Sequence, residues 1–127
     1  MDAGKRPTKH RNGVISNEEM TEAEVYKLLV RVGVSAGYTG IDYIIRAVFA
    51  INAGKVDNLG EIYDIIAKED NIKSGAVERN IRTAINRAYE HRPRIFSELF
   101  SIDSKPTNKL FIYAVVNYFR YGKVGKA

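Results

Sequence analysis

The sequence predicts an all-α protein, a compact bundle of about six helices that contains a helix-turn-helix. Two observations carry this. Apolar residues recur at three- and four-residue spacing along most of the chain, with no sustained strand-like alternation. Each periodic stretch is also bounded by a capping residue, a glycine or a proline. The chain has 127 residues, 45% of them hydrophobic and 28% charged, which is enough apolar material for one domain with a real core.

The first helix opens at Thr21, whose hydroxyl caps it while Glu24 reaches back; it carries Val25, Leu28, Leu29 and Val32 and ends at Gly33. The second starts at Thr39, turns Ile41, Ile44, Ile45, Val48 and Phe49 inward, and stops at Gly54. The third opens at Asn58 with Glu61 three residues on, and presents Leu59, Ile62, Ile65 and Ile66 on one side. The fourth runs from Ser74 to about His91. Stepping 100° per residue from Val77 puts Ile81, Ala84, Ile85 and Ala88 within about 80° of it, a core stripe. Arg79, Arg82, Thr83 and Asn86 fall on the far side, with Glu78 at the flank. Ile95, Phe96, Leu99 and Phe100 form a fifth helix with Pro93 in its first turn. A sixth follows Pro106, capped by Thr107 or Asn108, and buries Leu110, Phe111, Ala114, Val115 and Tyr118.

This pattern divides the chain into a flexible basic tail, residues 1–20, and a helical domain, residues 21–127. The third and fourth helices are separated only by the segment from Glu69 to Lys73, in which Asn71 tolerates a tight turn. Two helices joined this closely, the second apolar inside and basic outside, make a helix-turn-helix at about 58–91. Such pairs also occur in helical proteins that never touch DNA, so charge has to be weighed with them.

The net charge is +5, and its distribution is informative. Residues 73–94 carry six basic side chains against Glu78 and Glu90, and residues 105–126 carry Lys105, Lys109, Arg120, Lys123 and Lys126 with no acid. Residues 55–70 are instead net negative. Clustered Lys and Arg release counterions from phosphates, so the asymmetry suits a polyanion on one face, while charge alone fits a solvated basic surface equally well. The long hydrogen-bonding side chains outside the fourth helix suit base edges of duplex DNA.

Other chemistries find no support. The chain has no cysteine, which removes disulfides, thiolate zinc sites and thiol catalysis. His10 and His91 are far apart, and His91 at a helix end suits the helix dipole better than a metal. The glycines of residues 33–40 match neither a dinucleotide-binding nor a Walker loop. Glu18, Glu19, Glu22 and Glu24 crowd a helix start, where they favour the dipole rather than form a catalytic pair. The tyrosines are spread over several helices instead of forming a base-stacking platform. The expectation is a non-enzyme with no cofactor, metal or small-molecule substrate. No apolar run reaches the roughly 20 residues of a membrane span and no signal peptide is evident, so a cytoplasmic, nucleoid-associated protein is expected.

Five stretches carry a family resemblance: Gly40 to Tyr43, Tyr63 to Lys68, the run VERNIRTAI from Val77 to Ile85, Ser97 to Phe100, and KPTNKLFI from Lys105 to Ile112. In this order they resemble the C-terminal DNA-binding domain family of stage zero sporulation protein A, the response regulator that starts endospore formation. The resemblance spans roughly residues 23–121, and the runs Val77 to Ile85 and Lys105 to Ile112 are its most specific parts.

The resemblance implies that Glu78, Arg79 and Arg82 face bases. The chemistry agrees, since Arg pairs with guanine O6 and N7 and Glu accepts from the cytosine amino group. Asn86, on the same face, joins them as a candidate base contact. The resemblance also implies DNA contacts by Lys105, Thr107 and Asn108, beside a helix start whose free amides attract phosphate. Ser74 and Lys109, at the starts of the fourth and sixth helices, are candidate backbone or groove contacts.

Double-stranded DNA is therefore the expected partner, with RNA polymerase and a second copy on tandem sites as further ones. The alternative is a non-enzymatic interaction module that pairs with a homologous regulator or with RNA polymerase. Two features depart from the family. Its acidic residue in the second helix is Arg46 here, and its loop before the Lys-Pro-Thr-Asn segment is shortened to Ser101–Ser104. The family protein also carries a phosphorylated receiver domain, whereas only a short polar stretch precedes the first helix, so direct control by aspartyl phosphorylation is not expected.

Overall fold

A computed structural model describes residues 20–122. Six helices follow in order: α1 Glu22–Arg31, α2 Thr39–Asn52, α3 Leu59–Asp70, α4 Ser74–His91, α5 Pro93–Phe100 and α6 Asn108–Tyr121. The expected basic tail lies outside the described residues except for Met20, which is fully buried in the core.

Local chemistry explains the helix starts. Thr21 Oγ1 accepts from the Glu24 amide at 3.2 Å, and Asn58 Oδ1 accepts from the Glu61 amide at 3.0 Å. Glu61 Oε1 in turn accepts from the Asp57 amide at 3.0 Å, one residue earlier than a capping box places that bond. Thr107, not Asn108, caps α6, accepting from the Leu110 amide at 3.1 Å. α2 starts at Thr39 without a side-chain cap. Pro93 occupies the start of α5, where its missing amide costs nothing.

The fourth helix is the axis of the bundle. α2 and α3 pack most extensively against it, α5 and α6 close its remaining sides, and α1 covers α2. Gly40 makes the α2 to α4 approach possible: a Cβ there would lie 2.6 Å from the Asn80 carbonyl oxygen and 2.8 Å from Ala84 Cβ. Where α4 meets α5 and α6, Phe96 packs against Phe111 at 5.3 Å and against Tyr89 at 5.6 Å between ring centroids.

Two residues expected in the core are outside it. Ile65 is 46% exposed, because it lies on the flank of α3 that turns away from α4, beside a groove lined by Ile45, Phe49 and Ala50. Leu110 is 50% exposed: α6 buries Phe111, Ile112, Val115 and Val116, and Leu110 points almost opposite to the centre of that face. Phe49, Ile95, Ala114 and Tyr118 are half-buried at the core margin.

The departure at Arg46 has a structural role. Its guanidinium meets three carboxylates, Asp42 at 2.8 Å, Glu69 at 3.0 Å and Asp70 at 2.8 Å, and lies over the Tyr43 ring. Arg46 thus fastens the middle of α2 to the end of α3 and neutralises part of the acidic segment. The bond to Asp70 and its neighbouring carboxylate bonds hold the guanidinium pKa above its ordinary value.

Candidate nucleic-acid interface

The turn before α4 is three residues long. Asn71 adopts the left-handed conformation, with φ 59° and ψ 48°, and the Ile72 amide donates to the Ala67 carbonyl at 2.9 Å. Ser74 Oγ donates to Asp64 Oδ1, which binds the first turn of α4 to the middle of α3. Ser74 is half-buried and already engaged within the protein, so its hydroxyl serves the turn first.

The two sides of α4 differ as the periodicity requires. Val77, Ile81, Ala84, Ile85 and Ala88 are all buried, whereas Arg79, Arg82 and Thr83 are exposed. Glu78, at the flank, and Asn86, on the far side nearer the end of the helix, are half-buried. Arg79 has no hydrogen bond or ion pair among the described residues. Arg82 is paired: its Nη1 donates to Glu78 Oε1 at 2.6 Å and also contacts Oε2. A single nitrogen makes both contacts, so the guanidinium fork is not fully used.

The second expected segment, around the start of α6, is brought against the first. Lys105, Thr107 and Lys109 are exposed, while Pro106 is buried. The side chain of Asn108, expected at the DNA surface, is instead 9% exposed. Its Nδ2 donates to Tyr63 Oη at 3.1 Å and to the Glu78 carbonyl at 3.2 Å, so its amide lies inside a junction of α3, α4 and α6. Desolvation raises the Tyr63 pKa, against a smaller lowering effect of the Asn108 bond.

Sequence reasoning missed the role of Tyr63, because its hydrogen-bond partner Asn108 is 45 residues away. It also missed the contact between Arg87 and Tyr38, in which the guanidinium lies 4.8 Å from the ring centroid and bonds the phenol. That contact fastens the outer edge of α4 to the start of α2. His91 Nδ1 lies 2.8 Å from the Arg87 carbonyl, a helix-end contact of the kind expected for it.

Among the described residues, no cluster of His, Asp and Glu could hold a metal ion, and no helix is long and apolar enough to cross a membrane. Of the candidate site residues, Arg79, Arg82, Lys105, Thr107 and Lys109 are open to a ligand, Glu78 and Asn86 partly so, and Ser74 and Asn108 are committed to internal bonds.

A comparison with curated proteins finds no match. The family described as sporulation initiation factor Spo0A C terminal matches residues 25–119, which includes both segments, all of α2 to α5 and most of α1 and α6. The match spans well over half of the chain, and the helix-turn-helix with its outward basic stripe is the architecture such a domain needs. The chain therefore belongs to the Spo0A C-terminal family of DNA-binding effector domains.

Proposed function

We propose that this domain regulates transcription by binding a specific duplex sequence, with α4 in the major groove. The observation that carries this reading is the stripe of Arg79, Arg82 and Thr83 directly opposite five buried residues on a helix of 18 residues. At 1.5 Å per residue that helix is about 27 Å long, enough to span several base pairs while its inner side stays in the core. Arg79 and Arg82 supply donors for guanine, and Glu78 an acceptor for cytosine. Asn86 lies one helical turn beyond Arg82 and is a weaker candidate, being half-buried.

Lys105, Thr107 and Lys109 hold the sugar-phosphate backbone beside them. The Thr107 hydroxyl already caps α6, so its contribution comes mainly through the amides at the helix start. Ser74 contributes by fixing the turn.

Selection of bound sequences from randomised duplexes, followed by a mobility shift on the enriched site, tests the reading. The expected result is one enriched site, bound far more tightly than a scrambled duplex. Recovery of no preferred sequence overturns it. The exposed Ile65 beside the groove of Ile45, Phe49 and Ala50 supports a second reading, in which the domain pairs with a homologous regulator or with RNA polymerase. That reading gains if the domain binds no duplex.

A further inference from the structure

The polar junction of Tyr63, Asn108 and Glu78 is well placed to affect recognition without touching DNA. Asn108 is the first residue of α6, next to the Thr107 cap and three residues after Lys105. Its Nδ2 bonds the carbonyl of Glu78, one residue before Arg79 and in the first turns of α4. The same nitrogen bonds Tyr63 Oη, from the middle of α3. One buried amide group thus ties together the backbone-holding segment, the base-reading helix and the preceding helix of the helix-turn-helix.

We infer that Asn108 and Tyr63 are positioning residues that set the distance between the Arg79 and Arg82 stripe and the Lys105 to Lys109 segment, and thereby sharpen sequence discrimination. A duplex presents base edges and phosphates at fixed separations, so two contacting segments add their energies only when both are in register. The bond at the side-chain amide fixes that register, because it joins the first residue of α6 directly to the backbone of the first turns of α4. The Asn108 side chain is 30 residues distant from Glu78 and 45 from Tyr63 in sequence, so the junction acts between elements and not within one.

The inference rests on the proposed DNA reading. Its test compares wild type, Tyr63→Phe, Asn108→Ala and the double variant on the selected duplex and on a scrambled one, with a thermal melt of each. Tyr63→Phe removes one oxygen and keeps the ring, so it holds the test open should Asn108→Ala fail to fold. The expected result is that each single variant lowers the ratio of selected to scrambled affinity by about three- to tenfold, as loss of one buried hydrogen bond would. The double variant should be no worse than Asn108→Ala alone, because both changes break one junction.

A merely destabilising substitution lowers the folded fraction and weakens both duplexes equally, leaving the ratio at its wild-type value, and that result overturns the inference. A direct DNA contact by Asn108 also overturns it: then Asn108→Ala lowers the ratio while Tyr63→Phe does not. Additive losses in the double variant would mean two separate contacts and overturn it as well. Absence of any specific binding by the wild-type protein removes the DNA reading and the inference together, whereas specific wild-type binding with an unchanged Tyr63→Phe ratio removes the inference alone.

Discussion

Glu78 and Arg82 neutralise each other on the outward face of α4, one helical turn apart, with Arg82 Nη1 2.6 Å from Glu78 Oε1. Both side chains are substantially open to solvent, 35% and 50% exposed. The pair therefore contributes little to folding, but it restrains a side chain to which the proposed function assigns base reading. In the proposed complex a guanine would offer Arg82 the acceptors O6 and N7 and a cytosine amino group would offer Glu78 a donor, so a G/C-containing site would exchange the internal pair for two external ones.

Replacing Glu78 by Gln should leave stability within about 0.5 kcal/mol of wild type, since exposed helix pairs are worth about that much. It should raise affinity for scrambled duplexes, because a negative charge facing phosphates is removed, and lower discrimination at one base position. Chemical denaturation and competition titrations on single-base variants of the site measure the two effects; tighter discrimination in the variant would contradict the base-reading role.

Arg79→Ala and Ile81→Ala should separate recognition from folding. Arg79 is exposed and unpaired among the described residues, so its removal should change stability by less than about 0.5 kcal/mol while costing about 1 to 3 kcal/mol of discrimination. Ile81 is fully buried, and truncation there should cost about 2 to 5 kcal/mol of stability. Circular dichroism melts paired with binding curves distinguish the two. Full site preference in both Arg79→Ala and Arg82→Ala would mean that α4 is not the reading element.

Lys105→Ala should weaken binding to all duplexes by a similar factor and flatten the slope of log affinity against log salt by about one unit. Lys105 is exposed beside the start of α6, where a phosphate contact carries no base information. Titration at four or five salt concentrations gives the slope; an unchanged slope places Lys105 away from the phosphates.

Gly40→Ala should be disruptive although alanine favours helices. The added Cβ meets the Asn80 carbonyl and Ala84 Cβ, both fixed on α4, so the two helices must separate, at a cost of about 1 to 3 kcal/mol. A melting temperature at or above that of wild type would show that the α2 to α4 contact is looser than described.

Alkaline pH should destabilise the fold through the buried phenol of Tyr43 and the half-buried phenol of Tyr63. Burial and, for Tyr43, the neighbouring Asp70 carboxylate raise the pKa of both Tyr43 and Tyr63 above 10.0 in the folded protein. The unfolded chain then releases these protons first, so stability is intact below the ordinary tyrosine range and falls as pH rises through it. Denaturation midpoints across that range should fall less steeply in Tyr43→Phe than in wild type; parallel curves would remove Tyr43 as a cause.

The helices themselves were legible because their determinants are local. Thr21, Asn58 and Thr107 cap within three residues of themselves, Asn71 takes the left-handed turn that its side chain tolerates, and the stripe on α4 follows from periodicity. What depended on neighbouring elements was not legible. Ile65 and Leu110 are periodic residues whose burial is decided by where other helices lie, and Arg46 needs carboxylates 23 and 24 residues away to explain it. The exposed Arg79, Lys105 and Lys109 were readable as surface charges, but the inward commitment of Asn108 was not, because the family motif records its presence and not its direction.

The central position of α4 has a consequence for how this domain would meet a ligand. A helix with five buried residues and contacts on nearly all of its inner sides cannot detach by local opening; its amides should exchange with solvent only when the whole bundle unfolds. The outward face of α4, the proposed reading surface, is thus preorganised at the moment of folding, with its backbone entropy already spent. Adaptation to a site is left to the outer side chains of Arg79, Arg82 and Thr83, which can change rotamer while the backbone keeps its course.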